Sequence, residues 1–106
     1  MLNKILISII LIILLLNITS AKAAGDTARG QILSIICVDC HGEDGLGDED
    51  IPAIAGMDAA DIRKELMDFK SGARIDEYED MAEIAPELSE QNIADLAAYF
   101  DTLPGR

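Results

Sequence analysis

Both cysteines and the only histidine of this 106-residue chain lie within five consecutive residues, Cys37 to His41. A chain of this length forms one small domain. It has only four aromatic residues, none of them tryptophan, to fill a core. Small domains usually need disulfides, a metal or a bound cofactor for stability. The clustered thiols and imidazole are therefore the feature on which the fold is expected to depend.

The first 23 residues have the pattern of a secretory signal peptide. Lys4 precedes a nearly unbroken apolar run from Ile5 to Leu16, and the small-residue triplet Ala21-Lys22-Ala23 follows it after a polar stretch. This run is shorter than the roughly 20 residues that a helix needs to cross a bilayer. We predict cleavage after Ala23, export to the periplasm and a mature domain of residues 24–106 that does not insert into the membrane. A retained N-terminal anchor is the alternative.

The predicted mature domain is strongly acidic. The full chain has 20 acidic and 8 basic side chains, and residues 1–23 contain two of the lysines and no acid. The mature net charge is therefore 6 minus 20, or −14. Because nucleic acid attracts basic surfaces, we do not expect it as a partner. The acidic stretch 43–50 lacks the alternating Asp-x-Asp-x-Asp-Gly pattern of a calcium loop.

The apolar periodicity predicts an all-α domain, since no segment alternates like a strand. Asp26 is expected to cap a first helix from Ala28 to about Cys37. One face of this helix carries the apolar residues Ile32, Ile35 and Ile36.

Two further helices are indicated by their end signals. One begins after Asp58 and ends at Gly72, and the last begins at Ser89 and ends at Pro104. The segments 42–52 and 75–86 are predicted to be irregular, because they combine glycine, proline and acidic residues without periodicity.

The spacing of Cys37, Cys40 and His41 is typical of c-type haem attachment. Two thiols bond to the porphyrin vinyl groups, and the adjacent imidazole binds the iron. A disulfide, a thioredoxin-like redox site and a zinc site are the alternatives. A disulfide does not explain the adjacent histidine, the βαβ pattern of thioredoxins is lacking, and zinc would lack a suitable fourth ligand. We predict one covalently bound haem c.

The iron needs either a second protein ligand, as in an electron carrier, or an open position, as in a sensor or an enzyme. Met57 is only 16 residues beyond His41, a tight path around a porphyrin edge. Met67 neighbours Leu66 on a helix, where packing is the usual role of methionine. Met81 is 40 residues beyond His41 in a segment able to approach the opposite haem face. We predict Met81 as the distal ligand, with Met57 and an open site as alternatives.

The segments CVDCHGEDGLG, IPAIAG, DFKSGAR and MAEIAPELSEQNIADLAAYF resemble the class I cytochromes c, in particular one lobe of the cytochrome c4 and c553 type. The resemblance implies the small class I fold, with three to four helices around one haem and a crossing of the first and last helices near Gly30. It also places Met81 at the family's axial methionine, and it implies that the carbonyl of Pro52 accepts a hydrogen bond from His41. Cytochrome c4 has two haem lobes and this chain has one Cys-x-x-Cys-His, so a two-haem function is not implied.

Two cations near the expected haem have open roles. Lys70 and Arg74 could pair with haem propionates, or they could be solvated helix-end cations that the helix dipole favours.

We interpret the chain as an exported monohaem cytochrome that carries single electrons in a periplasmic respiratory or oxidative chain and catalyses nothing by itself. The acidic segment 76–90 flanks Met81 and predicts a redox protein partner with a basic docking surface. A cytochrome subunit of a flavocytochrome c sulfide dehydrogenase, which shares the DFKSG pattern, is the alternative and would add a flavoprotein partner. A haem-based sensor with an open iron site is a third hypothesis.

Overall fold

The computed structural model describes residues 1–15, 24–77 and 79–106. Its helices are α1 (Leu2–Leu15), α2 (Thr27–Leu33), α3 (Ile35–His41), α4 (Ala59–Ser71), α5 (Asp80–Ile84) and α6 (Glu90–Thr102), with a 3₁₀ turn at Ala85–Glu87. The described residues contain no strand, and the predicted all-α class is confirmed. Helices α2 to α6 make five in the described part of the domain, more than the three to four predicted.

Helix α1 is apolar and exposed to solvent. No other described helix packs against it. None of the described helices has the length and the apolar character needed to cross a membrane. The predicted cleavage position after Ala23 lies outside the described residues.

Helices α2 and α6 cross so closely that their contact has no room for a side chain. A Cβ atom on Gly30 would lie 2.0 Å from the carbonyl oxygen of Asp95, and one on Gly25 would lie equally close to that of Ala94. This confirms the crossing near Gly30. Helix α4 packs against α6 as well, so the core lies around α6, where Ile93 and Phe100 are at most 2% exposed.

The same crossing buries the carboxylate of Asp95 completely. Its Oδ1 accepts hydrogen bonds from the backbone N–H of Asp26 (2.8 Å) and from Nε2 of Gln91 (2.9 Å). Arg29 Nε lies 3.5 Å from Oδ2, to which no described residue donates a hydrogen bond. Burial acts to raise the pKa of Asp95, but these hydrogen bonds and the Arg29 charge outweigh it and hold the pKa below its ordinary value.

The predicted first helix is wrong in its bounds, and its apolar face is not the face that the structure buries. It ends at Leu33, and a second helix, α3, continues after Ser34 through the whole cysteine motif. The core side carries the small buried residues Gly30 and Ser34, whereas Ile32 and Ile35 are 76% and 69% exposed. The cause is the close approach of α6, which admits only small residues on the face of α2 that it contacts.

The ends of the other two predicted helices follow their sequence signals. Gly72 adopts a left-handed conformation at the end of α4. Ser89 and Asn92 form a reciprocal capping box at the start of α6. The segment 75–86 was predicted to be irregular, but it contains α5 and part of the 3₁₀ turn. Helices of three to five residues are too short to give a periodic pattern.

Candidate haem site

A cavity of about 550 Å³ lies beside the cysteine motif. This volume is within the range of cofactor sites. Helices α3, α4, α5 and α6 each contribute to its walls, which are mostly apolar. The apolar lining includes Ile36, Ile54, Ile62, Leu66, Phe69, Ile84, Leu88, Leu96 and Phe100. Such walls fit a large, flat and mostly apolar group.

His41 lines this cavity with a fixed ring orientation. It is 7% exposed, and its Nδ1 lies 2.7 Å from the carbonyl oxygen of Pro52. A carbonyl can only accept, so Nδ1 carries the hydrogen and Nε2 keeps the lone pair that a metal needs. The expected contact between His41 and Pro52 is confirmed.

Cys37 and Cys40 both line the cavity, with Cys37 partly buried and Cys40 exposed. Burial raises the pKa of the Cys37 thiol to about 11. A thioredoxin-like site needs a thiol that ionises near neutral pH, and burial shifts Cys37 in the opposite direction. The two thiols and the His41 imidazole line the same mostly apolar cavity. This arrangement is the one that haem c attachment needs, and a redox dithiol would not need the histidine or the cavity.

Two of the three candidate methionines lie at the cavity. Met57 and Met81 line it, whereas Met67 packs against the core cluster and is not among the lining residues. Met57 follows the segment that contacts His41 through Pro52. Met81 is carried by α5, which packs against α4 and the 3₁₀ turn and makes no contact with α3. His41 and Met81 therefore approach the cavity from different helices that do not touch each other.

The polar part of the cavity lining is acidic. It includes the carboxylates of Asp50, Glu65, Asp76, Glu77 and Asp80. Arg74 is the only arginine or lysine among the described lining residues. Its guanidinium forms an ion pair with Glu65 and lies 4.8 Å from the centre of the Phe69 ring. Of the two candidate propionate partners, Arg74 lies at the cavity and Lys70 does not.

Asp76 has a role that the sequence reasoning missed. Its carboxylate oxygens accept hydrogen bonds from the backbone N–H groups of Met81 (3.3 Å) and Ala82 (3.4 Å) at the start of α5. Asp76 therefore holds the first turn of α5, which carries Met81. The sequence carried no clear signal for this role, because Asp76 lies three residues before Glu79, the N-cap residue of α5.

A profile of the cytochrome c family matches residues 27–104. The chain belongs to the cytochrome c family. It is 38% identical over 99 residues to the cytochrome c4 of Pseudomonas aeruginosa. This match covers 92% of the present chain and 47% of that protein. It is also 38% identical over 76 residues to a protein of Chlorobaculum tepidum named as the cytochrome subunit of sulfide dehydrogenase, covering 72% of this chain and 67% of that one.

Solved structures of the family share the fold of this cytochrome c. The cytochrome c4 structure of Acidithiobacillus ferrooxidans matches with a TM-score of 0.70 at 27% identity, over 79% of this chain and 53% of that one. The chain thus spans about half the length of the cytochrome c4 proteins that it matches. The class I fold is confirmed, and family membership implies one covalently bound haem c.

Proposed function

We propose that Cys37 and Cys40 attach the haem, that His41 is its proximal ligand and that Met81 is its distal ligand. The support is the shared cavity and the Nε2 lone pair of His41, together with the position of α5 apart from α3. The thioether bonds would survive denaturation. A haem stain after denaturing electrophoresis should label the wild type and not the Cys37→Ser/Cys40→Ser variant. Removal of the wild-type haem by acid-acetone would contradict the proposal.

The function that this site supports best is single-electron transfer. The observation that carries it is the presence of His41 and Met81 on separate helices of one apolar cavity, because a haem ligated on both sides has no open position for a substrate. When bound, the haem supplies a one-electron ferrous and ferric couple. Pro52 orients His41 and the apolar walls exclude water. Arg74, which forms an ion pair with Glu65, is the candidate partner for a propionate because it lines the cavity.

A spectroelectrochemical titration of the holoprotein tests the carrier function. We expect one reversible one-electron wave and a low-spin haem in both oxidation states. A high-spin haem in either state would indicate an open iron site and would favour a sensor.

The proposed cellular setting is the periplasm, after removal of residues 1–23, in an electron-transport chain with protein partners. The apolar run of α1 and the small residues before Ala24 support export. Sequencing of the N-terminus of the protein from its native cells should begin at Ala24. An intact N-terminus on a membrane-bound protein would support a retained anchor instead.

The partner is expected to be a redox protein with a basic docking surface. Support comes from the five carboxylates that line the cavity beside a single arginine. A flavoprotein of sulfide oxidation is the second candidate partner, favoured by the similarity to the Chlorobaculum tepidum subunit. Co-purification from native cells separates the two cases. A stoichiometric flavoprotein supports a fixed subunit, and a free monomer supports a mobile carrier.

A further inference from the structure

Lys70 lies near the end of α4 and makes long-range contacts with the chain beyond α5. Its Nζ donates to the carbonyl oxygens of Pro86 (3.0 Å) and Leu88 (2.5 Å), which are 16 and 18 residues further along. These two carbonyls lie at and just beyond the 3₁₀ turn. The ammonium therefore joins α4 to the segment that links α5 to α6.

The turn that Lys70 holds is continuous with α5. Residue Ala85 begins the turn directly after Ile84 ends α5, and both elements pack against α4. Asp76 fixes the other end of α5 through the N–H groups of Met81 and Ala82. The short helix that carries Met81 is thus held at its start by a carboxylate and just beyond its end by an ammonium.

A five-residue helix has little stability of its own, because helix nucleation is costly. Among the described residues, α5 is held at the cavity by these end contacts and by its packing against α4 and the 3₁₀ turn. Charge-assisted hydrogen bonds are stronger than neutral ones, so the two bonds of Lys70 add to the packing of the buried residues Ala85 and Leu88 in holding the turn.

We propose that Lys70 is a positioning residue for the distal side of the haem, which holds Met81 at the cavity by clamping the turn after α5. This inference rests on the proposed role of Met81 as the distal ligand. Lys70 itself is not among the residues that line the cavity.

The test compares holoprotein variants in two measurements. Lys70→Met keeps the aliphatic stem and removes the donor, and Lys70→Arg restores a charged donor. Lys64→Met is the matched control, since Lys64 lies on the same helix and its Nζ pairs with Asp68 within that helix. The measurements are amide hydrogen exchange of residues 80–88 and the rate of carbon monoxide binding to the ferrous haem, which requires Met81 to leave.

We expect Lys70→Met to raise both the exchange of residues 80–88 and the carbon monoxide rate by about tenfold, the change that follows the loss of charge-assisted hydrogen bonds. Lys70→Arg should recover most of both effects, and Lys64→Met should match the wild type. Faster exchange without faster binding, or faster binding without faster exchange, would overturn the proposal. So would equal effects of Lys70→Met and Lys64→Met.

Two further outcomes are distinguishable. If the wild type binds carbon monoxide as fast as Met81→Ala, the distal ligation fails, and the exchange comparison still decides whether Lys70 clamps the turn. Unchanged exchange in Lys70→Met then overturns the clamp as well. Should Lys70→Met yield no holoprotein, Lys70→Gln takes its place, because its shorter side chain removes the charge and with it the charge-assisted hydrogen bonds.

Discussion

The Nδ1 atom of His41 donates a hydrogen bond of 2.7 Å to the carbonyl oxygen of Pro52, eleven residues further along the chain. Gly47 holds the loop between them, since its N–H donates to the carbonyl of His41 at 2.7 Å. It has a positive φ of 63°. A Cβ atom there would lie 2.0 Å from the carbonyl oxygen of Ile51 and 2.8 Å from that of Pro52. The orientation of His41, the proposed proximal ligand, thus depends on Gly47, which contacts it only through the backbone.

Gly47→Ala should displace the Pro52 carbonyl and weaken its bond to His41. A less electron-rich imidazole stabilises ferric iron less, so the reduction potential should rise. We expect an increase on the order of 50 mV, roughly 1 kcal/mol for a one-electron couple. Gly72→Ala is the control, because Gly72 also has a positive φ but has open space around it. Equal potentials in the two variants would show that the loop does not tune the haem.

The acidic cavity lining should make electron transfer depend on ionic strength. Reduction of the ferric protein by the cation hexaammineruthenium(II) should slow as salt shortens the Debye length to about 8 Å. Oxidation of the ferrous protein by the anion ferricyanide should show the opposite trend. Stopped-flow rates at increasing salt give both slopes.

Glu77→Gln should flatten those slopes because its carboxylate lies at the cavity. Asp101→Asn removes the same charge from an exposed position that does not line the cavity. If both variants change the slopes equally, the protein responds through its net charge and the lining has no special role in docking.

The buried carboxylate of Asp95 should make the stability of the fold depend on acid. Its pKa is depressed in the folded protein, so its contribution is present above the unfolded value of about 3.9 and is lost as the pH falls through the lower folded value. Asp95→Asn should cost about 1 to 3 kcal/mol of unfolding free energy at pH 7. The loss should shrink as the pH falls below about 4.

Urea unfolding of the holoprotein at several pH values measures this difference. Asp101→Asn, an exposed change on the same helix, is the control and should cost little. If Asp95→Asn lowers the unfolding free energy by the same amount at every pH down to the lowest one measured, the carboxyl group is not ionised in the folded protein.

The features that the sequence predicted correctly are local ones. Asp26, Gly72 and Ser89 mark helix ends through contacts within four residues, so their signals need no knowledge of the rest of the fold. The haem motif is local as well, because all three of its residues lie within one turn and a half of α3.

The features that the sequence did not predict depend on distant contacts. The face of α2 that packs in the core is set by the backbone of Asp95, 65 residues from Gly30. The isoleucines of this region suggested a different face for the core, but they are exposed in the structure. Lys70 donates to backbone carbonyl groups, which every residue type has, so the sequence carries no signal for these contacts. The choice of Met81 over Met57 rested on chain length and resemblance, and both methionines line the cavity.

Carbon monoxide binding to the ferrous wild type is the most direct test of a closed, electron-carrying haem. We expect slow binding in the wild type, because the thioether of Met81 must leave first, and fast binding in Met81→Ala together with a lower reduction potential. Met57→Ala and Met67→Ala should bind as slowly as the wild type. Because Met67 is only partly buried, Met67→Ala should cost less stability than the roughly 2 to 5 kcal/mol expected for a fully buried methionine. A wild type that binds carbon monoxide as fast as Met81→Ala would have an open iron, and the protein would then be a sensor or an enzyme and not an electron carrier.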